Sequence, residues 1–136
     1  ATALIDQTGS QQTATINQTG AVNVSSARVT QGGDGHEATI TQDFNANQNN
    51  AVVNQSGSGH SASVEQRGNV NGSFSATFND ATILQSGTGH VASIAQYGNG
   101  APDNRNTALI DQGFSSNVGH ITQRGGGGNS ATLVQR

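Results

Sequence analysis

Eleven copies of one five-residue unit, Ala-x-(Ile/Val/Leu)-x-Gln, occupy this 136-residue chain. They read ALIDQ from Ala3, ATINQ from Ala14, ARVTQ from Ala27, ATITQ from Ala38, AVVNQ from Ala51 and ASVEQ from Ala62. ATILQ from Ala81, ASIAQ from Ala92, ALIDQ from Ala108, GHITQ from Gly119 and ATLVQ from Ala131 complete the set. In each unit a small residue, a branched apolar residue and a glutamine stand at i, i+2 and i+4. That is the period of a strand with one buried face, so each unit predicts a short β-strand, and helix is excluded. Ile, Val and Thr gather inside the units while Gly, Asn, Asp and Ser gather between them, as strand preference and turn chemistry require.

The spacing constrains the fold further. From each Gln to the next unit's Ala the gaps run 6, 8, 6, 8, 6, 14, 6, 11, 6 and 7 residues. Every second gap is six residues long, and only the others vary. Two strands joined by a fixed tight arc, with a looser arc leading to the next pair, make one coil of a solenoid. The reading is an all-β, two-sheet β-solenoid of about 5.5 coils in one domain over residues 1–136. The coils span 3–18, 27–42, 51–66, 81–96 and 108–123, with a half coil at 131–135. With coils about 4.8 Å apart the stack rises on the order of 26 Å.

Composition agrees with stacking better than with a globular core. Leu, Ile, Val and Phe are 25 of 136 residues, a level typical of disordered chains, yet the formal net charge is only −3, too weak to keep the chain expanded by self-repulsion. There is no cysteine, hence neither a disulfide framework nor a thiolate metal site. No apolar run is long enough to suggest a membrane-spanning helix, and no basic-plus-apolar leader opens the sequence, as expected of a processed polypeptide. The five arginines are scattered singly, which argues against a nucleic-acid partner.

Stacking places identical residues over one another. The apolar core column is Ile5, Ile16, Val29, Ile40, Val53, Val64, Ile83, Ile94, Ile110, Ile121 and Leu133. The structural glutamine ladder is Gln7, Gln18, Gln31, Gln42, Gln55, Gln66, Gln85, Gln96, Gln112, Gln123 and Gln135. A buried carboxamide both donates and accepts, so a stack of them can satisfy itself. A third column lies in the short arc at Gln12, His36, His60, His90 and Asn117, where His serves as a hydrogen-bonding turn residue or as a pH-responsive stack. Leu4, Val52, Leu84, Leu109 and Val134 point outward from the strand that opens each coil and mark that sheet as the stickier one, a candidate for lateral bundling.

The short-arc units QTGSQQTATINQ at Gln7, QSGSGHSASVEQ at Gln55 and QSGTGHVASIAQ at Gln85 resemble the curlin repeat, Gln-x-Gly-x-x-Asn-x-Ala-x-x-x-Gln. The resemblance runs through essentially the whole chain. Gln12, His36, His60 and His90 stand where that pattern has Asn, which only Asn117 matches; Phe44 and Phe114 replace Gly, and Gly119 replaces Ala. The resemblance implies a curli subunit, secreted unfolded through an outer-membrane pore, seeded by a surface nucleator and polymerised into cell-surface fibres of the biofilm matrix. Its regular coils point to the major, fibre-forming subunit rather than to the nucleator.

Units begin at Ala3 and end at Gln135 with no atypical capping repeat, which predicts head-to-tail assembly into a cross-β homopolymer. The odd strand number predicts that a following subunit completes the half coil, turned by roughly half a revolution. No enzyme is expected: Asp6, Asp34, Asp43 and Asp111 are dispersed, with no paired carboxylates beside a His, and are read as solvated charges that restrain premature aggregation. No cofactor, metal or small-molecule substrate is expected. GGDGHEATI at Gly32 resembles a calcium-binding nonapeptide but has Glu37 where Asp belongs and no tandem copy. Phe74 and Phe78 fall in the 14-residue arc as candidate caps of a sheet edge or core end. The competing classes are an ice-binding solenoid, which needs a regular outward Thr column, and a solenoid adhesin or carbohydrate-binding enzyme, which needs an aromatic or carboxylate-lined groove.

Overall fold

The computed structural model describes residues 1–20, 24–43, 48–68, 77–98, 104–125 and 128–136. Phe44 and Phe74 lie outside them. Eleven strands follow one another: β1 (Thr2–Ser10), β2 (Thr13–Thr19), β3 (Val24–Asp34), β4 (Glu37–Asp43), β5 (Gln48–Ser58), β6 (Ser61–Arg67), β7 (Thr77–Thr88), β8 (Val91–Tyr97), β9 (Asn104–Ser115), β10 (Val118–Arg124) and β11 (Ser130–Gln135). Odd-numbered strands form a six-stranded parallel sheet in chain order and even-numbered ones a five-stranded parallel sheet. The result is a two-sheet β-solenoid of about five turns, with no helix among the described residues.

Register follows the repeat. Ala3, Ala27, Ala51, Ala81, Ala108 and Ala131 align in one sheet, and Ala14, Ala38, Ala62, Ala92 and Gly119 in the other. The 14-residue gap between Gln66 and Ala81 leaves the pairing of Ala51 with Ala81 in step, because an insertion outside the strands changes no side-chain parity.

The strands are longer than the five-residue units, and the odd ones from β1 to β9 are longer than the even, while the last, β11, has six residues. Strands β3, β5, β7 and β9 run 11 or 12 residues, whereas β2, β4, β6, β8 and β10 run seven. The six-residue arc expected from the spacing shrinks to two residues: Gln11–Gln12, Gly35–His36, Gly59–His60, Gly89–His90 and Ser116–Asn117. The first of each pair takes a left-handed backbone, from φ 35° at Ser116 to φ 68° at Gly35 and Gly89. The Gly content of the preceding residues predicts turn, but glycine here lets the ladder continue. A β-carbon at Gly57 would overlap the Gly87 carbonyl on the next coil. Phe114 ends that column with φ 75° and a side chain 76% exposed.

Between the sheets lies the apolar core. Ala27, Val29, Ile40, Val53, Val64, Ile83, Ile94 and Ile110 are fully buried, and each valine or isoleucine among them contributes about 1.5–3 kcal/mol. Burial fades toward the edge strands, where Ile5 is 43% exposed and Ile16 and Leu133 only pack partly against the core. A β-carbon at Gly119 would stand 2.9 Å from Leu133 Cδ2, so the one Ala→Gly departure makes room for the one leucine of the core column, whose branch lies a carbon farther from the backbone than that of Ile or Val.

Outward aliphatics do not line up. Leu4, Val52 and Leu109 share a column with Arg28, Thr82 and Thr132, while Leu84 and Val134 stand in another with Asp6, Thr30, Asn54 and Asp111. Phe78, expected in the 14-residue arc, stands within β7 and pairs with Gln48 of the neighbouring β5.

Candidate functional site: buried polar columns

The interior of a coil ends in glutamine on both sheets. In the six-stranded sheet Gln7 Nε2 donates to Gln31 Oε1 at 2.6 Å, Gln31 to Gln55 at 2.8 Å, Gln55 to Gln85 at 2.8 Å, Gln85 to Gln112 at 2.9 Å and Gln112 to Gln135 at 2.8 Å. In the other, Gln18, Gln42, Gln66, Gln96 and Gln123 are linked in the same sense at 2.7–3.0 Å. Each carboxamide has a second N–H, and in every ladder glutamine after Gln7 the Nε2 also donates to a backbone carbonyl of the opposite sheet: Gln55 to Glu37 at 3.1 Å, Gln42 to Ser26 at 3.1 Å, Gln96 to Asp80 at 2.9 Å. Turning one amide over would set oxygen against that carbonyl oxygen, so the backbone fixes the sense of the whole column.

Consequently every donor points toward the C-terminal coil and every acceptor toward the N-terminal one. Gln31, Gln42, Gln55, Gln66, Gln96 and Gln112 have no solvent exposure, and a buried amide left unpaired there costs about 1–3 kcal/mol per group.

The short-arc column is built differently. His36, His60 and His90 are buried, with neighbouring rings parallel and centroids 4.9 and 5.0 Å apart. Each Nε2 bonds the carbonyl four residues back, on Gly32, Ser56 and Ser86, at 3.0–3.1 Å. Gln12 and Asn117 donate their amides to the equivalent carbonyls, Thr8 and Gly113. Each Nδ1 accepts the backbone N–H of the next coil: His60 onto His36 at 3.3 Å, His90 onto His60 at 3.2 Å, Asn117 onto His90 at 3.0 Å. A ring that accepts at Nδ1 and donates at Nε2 is neutral, and its tautomer is set by those two partners.

A third polar column was not foreseen. Ser25, Asn49, Asn79 and Asn106 align two residues before the repeated Ala, and Asn129 continues the row. Asn79 donates to Asn49 at 3.1 Å, Asn106 to Asn79 at 3.0 Å and Asn129 to Asn106 at 3.1 Å, opposite in sense to the glutamines. Ser25 Oγ, buried at the head of this row, has no partner among the described residues. The available signal was Asn-x-Ala at Asn49, Asn79, Asn106 and Asn129, hidden because Asn before a strand reads as turn.

The acidic residues are less free than expected. Ser10 Oγ donates to Asp34 at 2.6 Å, and the Ser10 hydroxyl and N–H hold that carboxyl below its ordinary range. Thr19 donates to Asp43, and Arg136 and Arg105 pair with Asp111 and Asp80 one coil away. Arg67 pairs with Glu65, which also accepts the Tyr97 hydroxyl; that bond and burial raise the Tyr97 phenol, and Arg124 lies 5.1 Å above its ring. Within the nonapeptide-like stretch, His36 is buried and Glu37 is exposed, so the two diverge.

A family model described as the curlin associated repeat matches residues 13–43, 79–101 and 104–136, well over half of the chain. No curated protein and no solved structure gave a match. Residues 44–78 fall between the matched segments, yet β5 and β6 pair in the same register as their neighbours and carry the same buried Ala, Val and Gln. By its repeats, its coil register and the family model, the chain belongs to the curlin associated repeat family.

Proposed function

We propose that this chain is the major structural subunit of an extracellular curli-type amyloid fibre, a non-catalytic building block of biofilm matrix that serves adhesion and surface colonisation. The observation that carries this reading is the uniform sense of the glutamine columns. At every coil boundary one face presents carboxamide N–H groups and the other presents carboxamide oxygens over the same apolar columns. The two faces of any coil are therefore complementary, and a coil from a second copy fits where a coil of the same chain does. Stacking head to tail continues both burial and amide pairing, whereas reversing one partner sets like groups against each other. On this reading residues 1–136 act as one stacking domain, and the glutamine ladder with its apolar core is the machinery of assembly. A surface nucleator and an outer-membrane secretion pore are the partners the family implies.

Register disfavours the ice-binding alternative. Thr15, Thr39, Ser63, Ser93 and His120 share one outward column and Asn17, Thr41, Glu65, Ala95 and Thr122 the next, so neither is a regular threonine array.

Incubating the purified full chain while following amyloid-dye fluorescence, then recording fibre diffraction, tests the proposal. A meridional reflection near 4.7–4.8 Å, with strands across the fibre axis, is the expected result. A chain that folds to the same β-solenoid yet stays monomeric at high concentration overturns it.

A further inference from the structure

Three buried imidazoles in van der Waals stacking are an unusual filling for a turn that glutamine or asparagine also serves. The arc itself requires only a donor to the carbonyl four residues back, which Gln12 and Asn117 supply with an amide. Histidine adds an acceptor, Nδ1, aimed at the backbone N–H of the next coil, and it adds a titration near neutral pH. Protonating Nδ1 puts N–H against N–H and abolishes that link, while the second ring nitrogen is already committed as a donor to Gly32, Ser56 or Ser86.

We propose that His36, His60 and His90 form an acid-sensitive lock, which ties the second to the fifth coil through neutral imidazoles and releases them when the medium becomes acidic. The surroundings offer little to stabilise a charged column. From β3 the nearest carboxylate is Asp34, which Ser10 holds and whose charge is felt by His36 at the end of the histidine row alone; from β4 there is Glu37, whose side chain is exposed. The β5–β6 and β7–β8 arcs contribute Ser58, Gly59, Ser61, Thr88, Gly89 and Val91, none of them titratable. The column is closed at its ends by Gln12 and Asn117, both neutral. Within it the only groups that charge are the rings themselves, 4.9–5.0 Å apart, so protonating one opposes protonating the next.

Burial is the largest cause that lowers the His60 imidazole below its ordinary value, opposed by the Ser56 carbonyl and reinforced by His36 and His90 on either side. The unfolded chain takes up a proton there from about pH 6.5 downward, and the folded His60 ring resists. Stability is thus complete above that pH and falls as pH drops below it, the reverse of a histidine gaining an anionic partner. If His60 alone stays neutral, the folding constant at pH 5 is about 30-fold below its neutral value.

The test compares the full chain with the triple variant His36→Asn, His60→Asn and His90→Asn, which keeps the carbonyl bond that Asn117 makes and removes the titration. Denaturant midpoints at pH 5 and pH 7.5 should show the roughly 30-fold loss in the native chain and not in the variant. Equal pH dependence in both overturns the lock. Nitrogen-15 NMR of the imidazoles in the folded native chain, whether monomeric or assembled, decides the matter should the variant not fold. Nε2-protonated neutral rings persisting below pH 6 support the lock, and rings that charge at the ordinary pH with the β-structure intact refute it. Both readouts are made on the folded state, so a failure of the fibre reading leaves them interpretable.

Discussion

Two polar columns cross the same coils and are built on opposite principles. The glutamine columns link side chain to side chain, so each member must present both a donor and an acceptor at the same reach from the backbone. Asparagine is a methylene too short, and serine offers one hydrogen only. The short-arc column links side chain to backbone. Each member answers to a carbonyl four residues back, which explains why Gln12, three histidines and Asn117 share the position. Eleven of eleven units keep the glutamine, even at exposed Gln7, while the arc position holds three residue types, histidine where it is buried and Gln12 or Asn117 where it is half-buried; the difference lies in what each partner can tolerate.

Substitutions in the central coils break the comparison in order. Gln55→Ala removes two links to other glutamines and one to the Glu37 carbonyl, and should lower stability by about 3–5 kcal/mol in denaturant titration and slow assembly markedly. Asn79→Ala strands the Asn49 oxygen and the Asn106 amide, and should lower it by about 2–3 kcal/mol. His60→Asn at pH 7.5 keeps the carbonyl bond but takes the Nδ1 acceptor from the buried His90 N–H, and should lower stability by about 1–2 kcal/mol. Gln48→Ala, at an exposed position heading β5, should lie within about 0.5 kcal/mol of the native chain and leave assembly kinetics unchanged. A Gln48 effect as large as that of Gln55 would erase the distinction between interior amides and surface ones.

The strand period made much of this legible in advance. Alternation at i, i+2 and i+4 set Ile40, Ala38 and Gln42 on one face, and the constant six-residue gap set the parity of the partner strand, because a one-residue change there would turn every side chain over. What was not legible had a common cause: glycine and asparagine were taken for turn residues. Gly33 and Gly57 instead extend their strands, since the close approach of the next coil's carbonyl leaves no room for a β-carbon. Asn49, Asn79 and Asn106 instead bond one another inside the stack. Both are properties of a coil with neighbours above and below, and local propensity describes a chain without them. Likewise the direction of the carboxamides depends on carbonyls of the facing sheet, such as Glu37 and Ser26, that no single repeat contains.

Hydrogen exchange of the glutamine side-chain amides in the folded chain tests the central claim most directly. Protons on the Nε2 of Gln31, Gln42, Gln55, Gln66, Gln96 and Gln112 should exchange as slowly as the backbone amides of β3 to β9, while those of Gln11 and Gln48 exchange at once. Side-chain protons that all exchange freely, above a protected backbone, would mean that the coils are held by burial alone and that the ladder is not there.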